Sequence, residues 1–120
     1  LMLLQYLESE NKRLTTLKRV AIGGSACPRS MIETFERKYG VEVMHAWGMT
    51  EMSPLGTLGA MKSGMERLDP EERIKFKLKQ GRPPFGVEMK ITDDDGEELP
   101  RDGVAFGHLK VKGPCVAGSY

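Results

Sequence analysis

At 120 residues the chain has room for one modest domain, or for parts of two neighbouring ones. Its 39% hydrophobic and 29% charged content is ordinary for a soluble globular protein, and a formal net charge of +1 gives no reason to expect a nucleic-acid partner. The longest apolar stretches are only a few residues, far short of a membrane span, and the start lacks the basic segment, apolar run and cleavage site of a signal peptide.

Two cysteines, Cys27 and Cys115, make no disulfide framework, and neither has a Cys or His neighbour at metal-ligand spacing. A reducing cytoplasm is therefore the expected location. The chain begins at Leu1, inside what reads as a helix, so a piece of a longer protein is expected.

Leu3, Leu4, Leu7 and Leu14 fall near helical spacing and predict an amphipathic helix over the first dozen residues. Arg19-Val20-Ala21-Ile22 is a short strand-like run stopped by Gly23-Gly24, and Pro28 stands where a first helical residue tolerates a missing N–H. Met31, Ile32, Phe35 and Tyr39 make one apolar helical stripe closed by Gly40, and residues 41–47 read as a second strand ending at Gly48. Helix, strand, helix, strand in that order predicts a parallel sheet with flanking helices.

From Gly56 to Gly81 the signal weakens. Asp69-Pro70-Glu71-Glu72 is a helix start, with a capping Asp, Pro at the first position and Glu at the capping-box position. Ile74, Phe76 and Leu78 then alternate with Lys75, Lys77 and Lys79, which is strand periodicity, and the segment stays undecided. Beyond Gly81-Arg82-Pro83-Pro84 the character is β: residues 87–92 alternate, Asp95-Gly96 and Pro100-Arg101-Asp102-Gly103 signal turns, and residues 107–113 alternate again with Leu109 and Val111 on one face. The expected organisation is an α/β part over residues 1–80 and the start of an antiparallel, β-barrel-like subdomain over residues 81–120.

Two segments can carry chemistry. Ile22-Gly23-Gly24-Ser25-Ala26-Cys27-Pro28 joins a strand to a helix, where glycines let a flat ligand or a phosphate approach the backbone. It is neither the dinucleotide fingerprint nor a Walker loop, and taken alone a tight strand–helix turn accounts for it. Cys27, near a helix start, reads as a structural thiol because no His partner is near in sequence. In His45-Ala46-Trp47-Gly48-Met49-Thr50-Glu51-Met52-Ser53-Pro54 a strand ends on an aromatic, then Gly, then a hydroxyl beside a carboxylate. Ligands gather at such strand ends. Trp47 can stack on a base, Thr50 can donate to a phosphate oxygen and Glu51 can hold Mg²⁺; equally, Trp47 can be a core aromatic and Thr50-Glu51 a helix start.

Gly-Met-Thr-Glu after an aromatic resembles the Tyr-Gly-x-Thr-Glu signature of the adenylate-forming superfamily, which includes acyl-CoA synthetases, luciferases and peptide-synthetase adenylation domains. Gly23-Gly24-Ser25-Ala26 resembles that superfamily's Gly-Gly-Ala adenine segment. Gly81-Arg82-Pro83 and Gly107-His108-Leu109 through Gly113 resemble its Gly-Arg-Pro and Gly-Glu-Leu-x-x-x-Gly elements, all in family order. The wording around Trp47 is most similar to ligases for medium- or long-chain fatty acids.

The resemblance implies that Gly24, Ser25 and Ala26 line the adenine plane, with Ala46 and a stacking Trp47 completing it. Gly48 and Met49 would lie where the α-phosphate meets the acyl carboxylate. Thr50 and Glu51 would be catalytic, Thr50 bonding the phosphate and Glu51 binding Mg²⁺. Trp47 departs from the usual Tyr, and His108 replaces the Glu of Gly-Glu-Leu, so no role carries over to His108. ATP, Mg²⁺, coenzyme A and a fatty acid are the implied cofactors and partners.

The family's phosphate loop, its ribose-binding Asp and the lysine of its C-terminal domain are absent here, and the chain stops at Gly118-Ser119-Tyr120, where the family runs on. The chain is thus expected to hold half a site, to be inactive alone and to self-associate. The rival expectations are an adenylation domain for an amino or aryl acid that loads a carrier protein, and a non-catalytic nucleotide-binding or interaction module.

Asp93-Asp94-Asp95-Gly96 lacks the order of a calcium loop and reads as a hairpin turn. Arg73, Lys75, Lys77, Lys79 and Arg82, with Glu66, Glu71 and Glu72 nearby, read as a solvated face. Met44, Met49 and Met52 suit an alkyl chain or ordinary core filling.

Overall fold

Helix α1 (Met2–Ser9) forms where leucines recur at i and i+3, and it buries Leu4 and Leu7. The computed structural model describes residues 2–118; the readings placed on Leu1, Ser119 and Tyr120 lie outside the described residues. The helix is shorter than the leucine spacing predicts. Ser9 Oγ donates to the Tyr6 carbonyl at 3.1 Å, and the backbone turns left-handed at Asn11 (φ 48°).

Strand β1 (Arg19–Ile22) runs parallel to β2 (Glu42–Gly48), with Val20 opposite Val43 and Ile22 opposite His45. The crossover between them is helical, as expected: α2 (Arg29–Glu33) continues into a π-helical turn (Thr34–Lys38). Ile32 and Phe35 are buried and Met31 and Tyr39 half-buried, which is the predicted stripe. The widened turn closes through Val41 N–H to the Phe35 carbonyl at 2.9 Å, and Glu36 Oε1 accepts the Val43 N–H at 3.1 Å.

A third strand, β3 (Leu55–Leu58), pairs antiparallel with β2, so the sheet order is β1-β2-β3 and the sheet is mixed rather than parallel. Leu-Gly-Thr-Leu carries no alternation, and its pairing is supplied by β2 rather than by its own pattern. Helix α3 (Pro70–Lys77) begins as its capping sequence predicts: Asp69 Oδ1 accepts the Glu71 and Glu72 N–H groups at 2.8 and 3.1 Å. The undecided 74–78 segment is thus helical through Lys77. It buries Ile74 and Lys77 and leaves Phe76 and Leu78 exposed. Lys77 corrects the solvated-face expectation at its position, since a negative partner waits for it inside.

Leu4, Leu7, Cys27, Ile32, Phe35, Val41, Val43 and Ile74 form one core between α1, the crossover, β2 and α3. Full burial of an aliphatic side chain stabilises by about 1.5–3 kcal/mol, and Ile32, Val41 and Val43 have no exposed surface at all. Residues 88–112 hold a separate antiparallel pair, β4 (Glu88–Thr92) and β5 (His108–Lys112), with Met89 opposite Val111 and Ile91 opposite Leu109. Asp93 Oδ1 accepts the Asp95 and Glu97 N–H groups at 3.1 and 2.8 Å, the expected turn. Two strands do not make a barrel. No helix among the described residues is long and apolar enough to cross a membrane.

Candidate functional site

The Gly-rich turn after β1 and the end of β2 come together because parallel pairing brings Ile22 beside His45 and carries both chains off the same sheet end. Between them lies a cleft of about 190 Å³ lined by Gly24, Ser25, Ala26, Ala46, Trp47, Gly48 and Gln80. A side chain at Gly23 would press on the Ala46 carbonyl oxygen at 2.9 Å, so the close approach of the two walls needs glycine there. Gly24 has φ +82° and open space where a Cβ would point, which leaves its backbone accessible. Trp47 is half-buried; its ring lies over Gly56, where an added Cβ would stand 2.7 Å from Cζ3.

Six of the sequence candidates therefore share one cleft: Gly24, Ser25, Ala26, Ala46, Trp47 and Gly48. Met49, Thr50 and Glu51 are not part of its lining. Met49 is 47% exposed, Thr50 is exposed and Glu51 is half-buried, and Thr50–Met52 forms a 3-10 turn that leaves β2 and leads back into β3. That turn is tight: a Cβ at Gly48 would overlap the Pro54 carbonyl oxygen. Met52, not Met49, is the buried methionine of the segment. The Glu51 carbonyl accepts the Ala117 N–H at 2.7 Å, tying the turn to the far end of the described chain.

Gln80 was not singled out by the sequence pattern. It reaches the cleft because Thr57 Oγ1 donates to its carbonyl at 2.5 Å and because Leu58 and Arg82 form a bridge beside it. Its place just before Gly81-Arg82-Pro83 is the signal that could have found it. His45 was quoted only as part of the motif, yet it is 2% exposed, and its Nε2 accepts the Cys27 N–H at 3.3 Å. Burial pushes the Cys27 thiol up from its ordinary value, as befits a structural rather than a nucleophilic sulfur.

Larger hollows lie elsewhere. One, of about 520 Å³, is bounded by residues 59–65, Leu68, Phe76 and Arg82; another, of about 580 Å³, lies against β4 and β5; a third, of about 310 Å³, lies beside Glu36, Glu42 and Lys77. None is lined by residues 22–28 or 45–54, and none combines a carboxylate with a hydroxyl side chain. His108 Nε2 lies 3.0 Å from Asp94 Oδ1, both exposed. Among the described residues no group of three or more His, Cys, Asp or Glu side chains is placed to hold a metal ion.

A sequence model of the AMP-binding enzyme family matches residues 1–120. The chain belongs to that family. Two AMP-binding relatives are a 3-methylmercaptopropionyl-CoA ligase of Ruegeria lacuscaerulensis and a medium-chain-fatty-acid–CoA ligase of Ectopseudomonas oleovorans. The first is 56% identical over 108 residues, covering 90% of this chain and 20% of that protein. The second is 50% identical over 105 residues, covering 88% of this chain and 19% of that protein. The chain thus spans about a fifth of the length of the curated relatives it matches. The fold matches the O-succinylbenzoate coenzyme A synthetase of Bacillus subtilis solved with ATP and magnesium, at TM-score 0.70 and 28% identity, over 99% of this chain and 22% of that one. Among AMP-binding enzymes, then, this chain corresponds to a portion of the fold.

Proposed function

We propose that the protein containing this chain is an ATP-dependent, AMP-forming ligase that activates a fatty carboxylate as acyl-AMP and passes it to coenzyme A. The observation that carries the reading is the single cleft built by residues 24–26 and 46–48. These are separate in sequence, resemble separate family segments, and present accessible backbone on one side and a flat indole on the other. At about 190 Å³ the cleft is smaller than a whole small-molecule site of roughly 300–1,000 Å³. It suits one wall of a nucleotide site that the rest of the protein completes.

In this reading the adenine lies against Ser25, Ala26 and Trp47, and Thr50 donates its hydroxyl proton to an α-phosphate oxygen. Mg²⁺, when bound, would neutralise charge on the phosphates. Glu51 would be a protein ligand for it, in keeping with the way Mg²⁺ takes most of its ligands from phosphate and water. A carboxylate oxygen attacks the α-phosphorus in line as the bond to pyrophosphate breaks. The coenzyme A thiol then attacks the acyl carbon, a C–S bond replaces the C–O bond to AMP, and the thiol proton leaves to solvent. Because charge builds on phosphate oxygens, catalysis comes from positioning and electrostatic stabilisation.

The same reading makes residues 81–120, with β4 and β5, the beginning of a larger β subdomain after an α/β part over residues 1–80. Two free cysteines, one exposed, suit a reducing cytoplasm. The open edge of β1 and the exposed Phe85, Val104 and Phe106 favour self-association of the isolated chain; a strictly monomeric mass by light scattering at high concentration would refute that.

The decisive experiment follows pyrophosphate release by the full-length protein with ATP, Mg²⁺, coenzyme A and a panel of acids that includes decanoate and 3-methylmercaptopropionate. Acid-dependent release, with an acyl-CoA product, is expected. Release only with an amino or aryl acid and a carrier protein would replace the reading with its rival, and no release with any acid would end it.

A further inference from the structure

Strand β2 sends Val43 and His45 to the same face, because successive side chains in a strand alternate, and Val41, just before the strand, is buried with them. All three are buried, the two valines completely and His45 to 2% exposure. A valine at the third inward position would continue the apolar surface at no polar cost. The imidazole instead brings two ring nitrogens into the interior.

One of those nitrogens has a partner. Nε2 accepts the Cys27 backbone N–H at 3.3 Å. A neutral ring that accepts at Nε2 carries its proton on Nδ1, and Nδ1 is buried with no hydrogen-bond partner among the described residues. The interior thus tolerates an unpaired donor for the sake of one acceptor. That acceptor meets a need: residues 23–28 leave β1 and lose the sheet ladder, so the buried Cys27 N–H has no strand to pair with.

The position of this bond gives it a consequence for the cleft. Cys27 directly follows Ser25 and Ala26 on one wall; His45 directly precedes Ala46 and Trp47 on the other. The His45 carbonyl also accepts the Gly59 N–H at 2.7 Å, so the residue is bonded to the 23–28 turn through its ring and to the chain after β3 through its backbone. Resting on the proposed nucleotide reading, we infer that His45 is a positioning residue: its ring ties the 24–26 wall to β2 and sets the gap in front of Trp47 into which the adenine fits. It touches neither the nucleotide nor the reacting atoms.

The tie requires an acceptor at one particular place. Glutamine Oε1 lies the same number of bonds from Cβ as histidine Nε2, whereas asparagine Oδ1 matches only Nδ1. In the full-length protein, His45→Asn and His45→Val should therefore raise the KM for ATP by about three- to tenfold, the loss expected for one hydrogen bond. His45→Gln should return it to within about twofold, and the KM for the acid should stay within about twofold throughout.

A merely structural role predicts something else: Gln no better than Asn, or both KM values and kcat moving together with the thermal midpoint. Either result overturns the inference. Nitrogen-15 shifts of the His45 ring in the unmodified protein provide a measurement that needs no variant. A ring protonated at Nδ1 is expected; a proton on Nε2 would exclude the tie. If the unmodified protein releases no pyrophosphate with any acid, the functional reading fails while the ring measurement still decides whether the tie exists.

Discussion

Lys77 Nζ stands 2.5 Å from Glu36 Oε1, and the lysine side chain is 1% exposed while the glutamate keeps 20%. Lys77 Nζ also donates to the Val43 carbonyl at 3.3 Å, and Glu36 Oε1 accepts the Val43 N–H. Helix α3, the π-helical turn and the central strand thus meet at one ion pair. The inequality of burial decides which half of the pair matters more. Glu36→Gln strands a buried ammonium and should cost about 3–5 kcal/mol. Lys77→Met leaves a carboxylate that can still reach water and still holds the Val43 N–H, so it should cost clearly less. Urea denaturation midpoints of the full-length variants test the order; Lys77→Met falling below Glu36→Gln would refute it.

Thr50→Val and Glu51→Gln in the full-length protein should slow adenylation by about 10²–10³-fold, the loss of roughly 3–4 kcal/mol of transition-state stabilisation. Both lie on a turn outside the core, Thr50 exposed and Glu51 half-buried, so thermal midpoints should change little. Pyrophosphate release and midpoint are measured on the same preparations. Normal turnover per folded molecule with lowered midpoints would make the pair structural.

Gly24 and Gly81 share a left-handed backbone but not a surrounding. Gly24→Ala meets nothing within 4 Å, so it should fold with a cost of about 1–2 kcal/mol for the left-handed alanine and weaken ATP binding by narrowing the cleft. Gly81→Ala would also overlap the Leu58 carbonyl carbon and the Gly59 nitrogen, at the bridge between Leu58 and Arg82. It should unfold at distinctly lower temperature than Gly24→Ala. Equal midpoints would contradict the local packing.

The Asp69 carboxylate is held below its ordinary range, first by the Glu72 N–H it accepts and also by that of Glu71. A carboxylate with a lower pKa folded than unfolded contributes stability above the unfolded value of about 3.9, and that contribution is lost as pH falls through the folded value. Asp69→Asn should keep the cap and flatten this part of the acid-side decline, whereas Asp69→Ala should lower the midpoint at neutral pH as well. Midpoints across the acid range that superimpose for Asp69 and Asn would show that the charge contributes nothing.

Where a signal is local, the sequence was sufficient. The start of α3 is written in Asp69-Pro70 because a cap bonds within its own turn, and the inward stripe of Ile32 and Phe35 follows from helical spacing alone. The motif segments were legible because glycines and an aromatic at strand ends carry a distinctive pattern. What that pattern could not contain is which atoms across the fold would answer it. Strand β3 exists because β2 supplies its hydrogen bonds, and Lys77 is inside because Glu36, brought over by the crossover, meets it there. Gln80 joins the cleft through Thr57, and His45 finds Cys27 only once β1 and β2 lie parallel. Chain composition settles which residues can bear charge or donate a bond; the energy of burying them depends on a partner distant in sequence, and only the tertiary structure brings the two together.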